Sequence, residues 1–141
     1  MVADEGTAAG RLVRLAWRWL PLITWLGLIF LVSGRPKTEI PDYGAWDLLV
    51  KKGSHFVAYA VVALLARRAF GPSRLATPLA LLLAVLYAVS DEYHQTFVPG
   101  RHGNGTDVLI DTLGAVMALV AAWWLRQHRL WSPRHLWASR L

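Results

Sequence analysis

PLALLLAVLYAVSDEYHQ, residues 78–95, is the stretch whose reading decides the fold. Its apolar part, Pro78 to Val89, falls short of the roughly 20 helical residues needed to cross a hydrocarbon core about 30 Å thick. Full length is reached only if the helix continues through Ser90-Asp91-Glu92-Tyr93-His94-Gln95. Two carboxylates and a histidine then sit at the end of a membrane helix. An ionised group near hydrocarbon costs roughly 2.5–3.5 kcal/mol, so it turns to the bundle interior and takes a partner.

The neighbouring runs repeat the pattern. Phe56 to Ala66 is also too short, so that helix must begin near Ala45 or Trp46 and carry Lys51, Lys52 and His55 with it. Val108 to Leu125 starts at Asp107 and takes Asp111 one turn inward. A further span runs from about Leu15 to Val32, where Pro21 either kinks the helix or marks its start. The tight connection Gly71-Pro72-Ser73-Arg74 makes the second and third helices an antiparallel hairpin, whereas Gly34 to Gly44 and Phe97 to Thr106 are longer loops. The fold class is therefore all-α: a small polytopic membrane protein of four transmembrane helices in an antiparallel bundle.

Composition agrees. Of 141 residues, 55% are hydrophobic, 8 are Trp and only 17% are charged, against about 25% charged in soluble domains. The absence of Cys excludes disulfides, thiolate nucleophiles and thiolate metal sites. The net charge of +6 does not point to nucleic acid, because the basic residues stand at the ends of apolar runs. Arg11, Arg14 and Arg18 precede the first run as in a signal peptide, but no small-residue cleavage site follows, so the span is expected to be retained. Ten of the 15 Lys and Arg fall on one side of the expected topology, from Arg11 through Arg67, Arg68 and Arg74 to Arg140. Arg35, Lys37, Lys51, Lys52 and Arg101 fall on the other. The positive-inside rule then puts both termini in the cytoplasm of a multi-pass cell-membrane protein. Trp17, Trp19, Trp46, Trp123 and Trp124 suit the two interfaces. Residues 1–10 read as a disordered start, 11–127 as the membrane domain, and 128–141, with Trp131 and Trp137, as a basic tail on the inner surface.

Helical spacing then decides which polar groups can meet. Lys51 and Lys52 share a face with His55, Asp91 with His94 and Gln95, and Asp107 with Asp111. Three helices each present a polar stripe at the same end, and these are expected to form one site. Lys52 suits either an anion or snorkelling to headgroups. His55 suits a base, a ligand or an interhelical hydrogen bond. Asp91 and Glu92 point about 100° apart, so one can pair with Arg101 or a lysine while the other stays free for acid–base work. Arg101 can also fork onto a phosphate. His55, Asp91, Glu92 and His94 are donors of the type that Zn²⁺, and after it Mg²⁺ or Mn²⁺, accepts, but no H-E-x-x-H spacing or its inverse is present. No residue is assigned as a metal ligand on that basis. Asn104 or Thr106 can cap the fourth helix, and Asp107 favours its positive end. Asp111 lies too deep for capping, and a hydrogen bond to His55 or Tyr93 is expected. Asp47 is the weakest case and suits a loop. Gly114 and Ala118 form a small-xxx-small pair fit for close helix contact. No serine nucleophile motif is visible.

Three segments together, Lys52-Gly-Ser-His55-Phe-Val-Ala-Tyr59, Ser90-Asp91-Glu92-Tyr-His94-Gln95-Thr-Phe97-Val-Pro-Gly100-Arg101 and Asp107-Val-Leu-Ile-Asp111-Thr-Leu-Gly114, resemble the VanZ-like family over about residues 20–125. The resemblance implies that Lys52, His55, Tyr59, Asp91, Glu92, His94, Gln95, Arg101, Asp107 and Gly114 are the family's shared polar and packing positions. It departs at Asp111, where the family usually carries Asn. The family is named for a protein of low-level teicoplanin resistance. That implies a cell-envelope role, with an outer-side site that binds or modifies a phosphorylated or glycosylated lipid or a lipid-like ligand. His55, Asp91, Glu92, His94 and Asp107 would supply any acid–base chemistry, and Lys52, Tyr59, Gln95, Arg101 and Asp111 would hold the ligand. A non-enzymatic module whose polar layer is an internal network is the alternative, and the residues leave both open. A proton or ion pathway is disfavoured, because Val61 to Ala66 and Val116 to Leu125 contain no ionisable relay.

Overall fold

The computed structural model describes residues 7–128. Four helices make up the fold: α1 (Ala8–Ser33), α2 (Asp47–Phe70), α3 (Ala76–Gln95) and α4 (Gly105–Gln127). Each is long and apolar enough to cross a membrane, and no strand occurs among the described residues. Two short 3-10 turns, Lys37–Glu39 and Gly44–Trp46, punctuate the first long loop. At about 1.5 Å per residue, the 20 residues of α3 reach about 30 Å, just the thickness of the hydrocarbon layer.

The helix limits follow local chemistry. Thr7 caps α1, its hydroxyl accepting from the Gly10 amide at 3.2 Å. The helix therefore starts ahead of Leu15, and residues 8–10 of the expected disordered start are helical; residues 1–6 and the Trp-containing tail beyond His128 lie outside the described residues. Pro21 sits inside α1 and does not mark its beginning. Asp47 is the first residue of α2, not a loop residue, and pairs one turn on with Lys51 at 2.7 Å. Gly71 ends α2 at φ 74, a left-handed conformation that glycine adopts without strain. Asn104 caps α4, accepting from the Thr106 amide at 3.1 Å.

α2 is the hub: it packs most extensively on α4, then on α3, and also against α1. The seams are built from small residues. Ala76, Ala80, Ala84 and Ala88 recur every fourth residue on α3 and are all buried. Ala80, Ala84 and Ala88 meet Val62, Ala63 and Ala66 of α2 and Ala115 and Leu119 of α4 in one core. Lipid tails are as apolar as leucine, so close backbone approach rather than a hydrophobic drive holds such helices together. At Gly114 the two backbones come so close that a Cβ would run into the Phe56 carbonyl of α2. Ala118, its expected companion, is only half-buried.

α1 is the outlying helix. Most of its apolar side chains are exposed, as lipid-facing residues should be. It is tied down by Leu22 in the core and by two hydrogen bonds: Trp25 Nε1 donates to the Ala58 carbonyl at 3.0 Å, and the Tyr87 hydroxyl donates to the Leu26 carbonyl at 2.6 Å. Trp19 packs edge-on against Phe70, and Arg68 lies 5.9 Å from the ring centre of Trp17.

Filling the α2–α4 contact should therefore be costly. Gly114→Ala is expected to lower unfolding stability in detergent by about 2 kcal/mol, in the range of overpacked cores. Gly27→Ala, where a Cβ meets nothing within 4 Å, should leave the melting curve in place or raise it slightly.

Candidate polar site

The C-terminal ends of α1 and α3 and the N-terminal ends of α2 and α4 meet at one end of the bundle. The up-and-down path of the chain requires this, and it gathers the polar stripes of α2, α3 and α4. Asp91, Glu92, Gln95 and Asp111 are all buried, with Asp111 at 0% exposure.

Two ion pairs join α2 to α4. Lys52 pairs with Asp107 near the rim. One turn deeper, His55 Nδ1 lies 3.3 Å from Asp111 Oδ1 and 3.5 Å from Oδ2. Only the longer contact has hydrogen-bonding geometry, and Oδ1 carries no hydrogen bond. The expectation that Asp111 meets His55 rests on this pair; Tyr93 instead points outward, edge-on to Phe97.

Glu92 is held from both sides. Gln95 Nε2 donates to its Oε1 at 3.0 Å, and the backbone amide of Asn104 donates to Oε2 at 2.7 Å. The second bond is possible because Gly103 lets the loop lie on the end of α3: a Cβ there would come within 2.5 Å of the Glu92 carbonyl oxygen. Gln95 also reaches Asp91 Oδ2 at 3.4 Å, while Asp91 Oδ1 is buried without a hydrogen bond. Donor atoms of His55, Glu92 and Asp111 lie within 4.8 Å of one another. This differs from the donor set read from the sequence, in which Asp91 and His94 stood in place of Asp111.

His94 does not join that cluster. Its ring stacks on Phe30 of α1, with centroids 4.3 Å apart and planes inclined by 23°. Arg101 binds neither Asp91 nor Glu92 through a hydrogen bond; its guanidinium donates to the Ser33 carbonyl at 3.1 Å, capping the end of α1. That helix has no basic residue of its own in its last turn, so Arg101 supplies the missing cation from the α3–α4 loop. The Tyr59 hydroxyl is buried and unbonded beside the same interior space.

Two adjoining cavities open from this layer. One, about 360 Å³, lies between α1 and α2; its wall is mostly apolar, including Trp25, Leu28 and Val57, and its polar end reaches His55, Asp91 and Arg101. The other, about 460 Å³, lies over the polar end and is lined by charged groups including Arg35, Lys51, Lys52 and Asp107. Val32, Ser54, His55 and Arg101 border both, so an apolar groove leads into a charged vestibule.

A protein-family model described as VanZ/LLP1 matches residues 17–126. No curated protein and no solved structure matches the chain.

The Lys52–Asp107 pair can be measured by a double-mutant cycle of Lys52→Ala and Asp107→Ala. With side chains 30% and 23% exposed, solvent screens the pair only in part. A coupling of about 1 kcal/mol in thermal unfolding is expected, at the upper end for exposed pairs, and it should shrink in high salt.

Proposed function

The chain belongs to the VanZ/LLP1 family, and from that membership we propose that it is a cell-envelope protein whose polar end faces outward and binds or modifies an amphiphile. The ligand class is a phosphorylated or glycosylated lipid, or a lipid-like antibiotic of the teicoplanin kind. One observation carries this reading: the apolar groove between α1 and α2 adjoins the charged vestibule across a shared border of Val32, Ser54, His55 and Arg101. An acyl chain suits Trp25, Leu28 and Val57, and an anionic or sugar headgroup suits Lys52, Lys51 and Arg101. The groove is within the size range that holds small ligands.

His55 stands at the junction of the two spaces, backed by Asp111. A carboxylate behind an imidazole fixes its tautomer and steadies its protonated form, the arrangement general base catalysis requires. If the protein turns over its ligand, His55 moves the proton, with Asp91 the buried carboxylate that lines the same groove. Lys52 and Arg101 then hold charge and do no bond-making.

The internal bonding of the layer supports a second reading, a non-enzymatic module. Lys52 already has Asp107, and Glu92 already has Gln95 and the Asn104 amide. Breaking one partner of a buried network costs about 3–5 kcal/mol, so such a layer can serve simply to lock the helices.

Alanine replacement at His55, Glu92 and Arg101 separates the two. Helical content is checked by circular dichroism, and binding is read with fluorescent phosphatidic acid in phosphatidylcholine vesicles. Arg101→Ala is expected to bind at least tenfold more weakly with its melting temperature nearly kept, and all three variants should lose any teicoplanin tolerance conferred by the parent. Wild-type binding and tolerance in all three rejects the ligand site; lowered melting temperatures with binding intact favour the structural module.

A further inference from the structure

The buried cluster of His55, Glu92 and Asp111 has a charge problem that the ion pairs leave unsolved. Asp91, Glu92 and Asp111 are at most 5% exposed. Lys52 is already paired with Asp107 and Lys51 with Asp47, and the hydrogen bond Arg101 makes goes to a backbone carbonyl. Among the described residues the ion-pair partner of Asp111 is His55, and Glu92 is met by neutral donors from Gln95 and Asn104. Buried carboxylates of this kind are normally paired, protonated or bound to a cation.

The geometry favours the last. A charge-assisted hydrogen bond between an imidazolium and a carboxylate is about 2.7–2.9 Å long. His55 Nδ1 instead lies 3.3 and 3.5 Å from the two oxygens of Asp111. Those separations match the edge of a tetrahedron, about 3.3 Å, whose corners lie about 2.0–2.1 Å from a central zinc ion. Asp111 Oδ1 is fully buried and has no hydrogen bond, so one lone-pair direction of the cluster is unused. Glu92 is already oriented by hydrogen bonds to both oxygens, the outer-shell support that metal-binding carboxylates usually have.

We propose that His55, Glu92 and Asp111 bind a divalent metal ion of the borderline class, Zn²⁺ ahead of Mn²⁺. One imidazole with two carboxylates suits these ions better than the all-oxygen cages of Mg²⁺ or Ca²⁺. Three protein ligands leave a further coordination position, as in zinc sites that exchange a ligand. His55 is the ligand that also borders the groove and the vestibule, so access to the ion passes its ring. The three ligands come from α2, α3 and α4, and the ion therefore joins three helices.

The test uses the full-length chain in detergent, stripped with EDTA and dialysed. ZnCl₂ and MnCl₂ are titrated separately by calorimetry, with bound metal counted by elemental mass spectrometry. Wild type is expected to take about one Zn²⁺ per chain and to melt at a higher temperature when loaded. His55→Ala and the near-isosteric Asp111→Asn should each weaken Zn²⁺ binding at least tenfold, while Gly27→Ala, away from the cluster, leaves it unchanged. Absence of stoichiometric binding of either ion to folded wild type overturns the proposal, whatever the variants do. Undiminished binding in folded His55→Ala overturns it too, by showing the ion to be adventitious. Neither readout involves a lipid, so the outcome is independent of whether the groove takes an amphiphile.

Discussion

A helix of 20 residues crossing about 30 Å of hydrocarbon has no length to spare, and α3 is that helix. Its last turn must be Asp91-Glu92-Tyr93-His94-Gln95, so two carboxylates enter the edge of the apolar layer whatever else the chain does. The remaining architecture answers that constraint. α2 and α4 approach closely enough to enclose them, Gln95 bridges both acids, and the loop after α3 folds back to place the Asn104 amide on Glu92. The loop bends so closely only because Gly103 has no side chain.

Enclosure depends in turn on how near the helix axes come. The four-residue alanine repeat of α3 and Gly114 of α4 remove the bulk that would hold the helices apart. Most leucines, with Trp17, Trp46, Trp123 and Trp124, are displaced to the outside, where lipid receives them without penalty. The polar layer and the packing motif are therefore one design. A polar site at this depth exists because small residues below it let three helices converge.

The extended reach of α3 and the polar opening of α2 were legible in the sequence because an arithmetic of length demanded them. That Asp111 needs an interior partner was legible from depth, since capping could not account for an acid one turn inside α4, but the choice of His55 over Tyr93 was not. Other features had no such signal. Lys52 chose Asp107 across the bundle, and a helical repeat specifies faces but not which faces oppose each other. His94 shares a face with Asp91 by spacing, yet turns to Phe30 because α1 lies against that side of α3. The position of α1 was the least legible of all. Its apolar residues surround it, and where lipid and protein interior are equally apolar no hydrophobic stripe shows which side is packed. Arg101 as the cap of α1 escaped for the same reason, since it depends on where Ser33 arrives.

The groove between α1 and α2 is rimmed by Leu28, Val32 and Val57, side chains that are exposed on the flank of the bundle. In a bilayer that flank is immersed in acyl chains, so a guest can arrive sideways, by two-dimensional diffusion, without crossing water. The concentration that governs occupancy is then the guest's mole fraction in the leaflet. A poorly soluble amphiphile that partitions strongly into lipid would saturate the groove at an aqueous dose far below its intrinsic dissociation constant, whereas a soluble headgroup lacking a tail would have to enter through the vestibule.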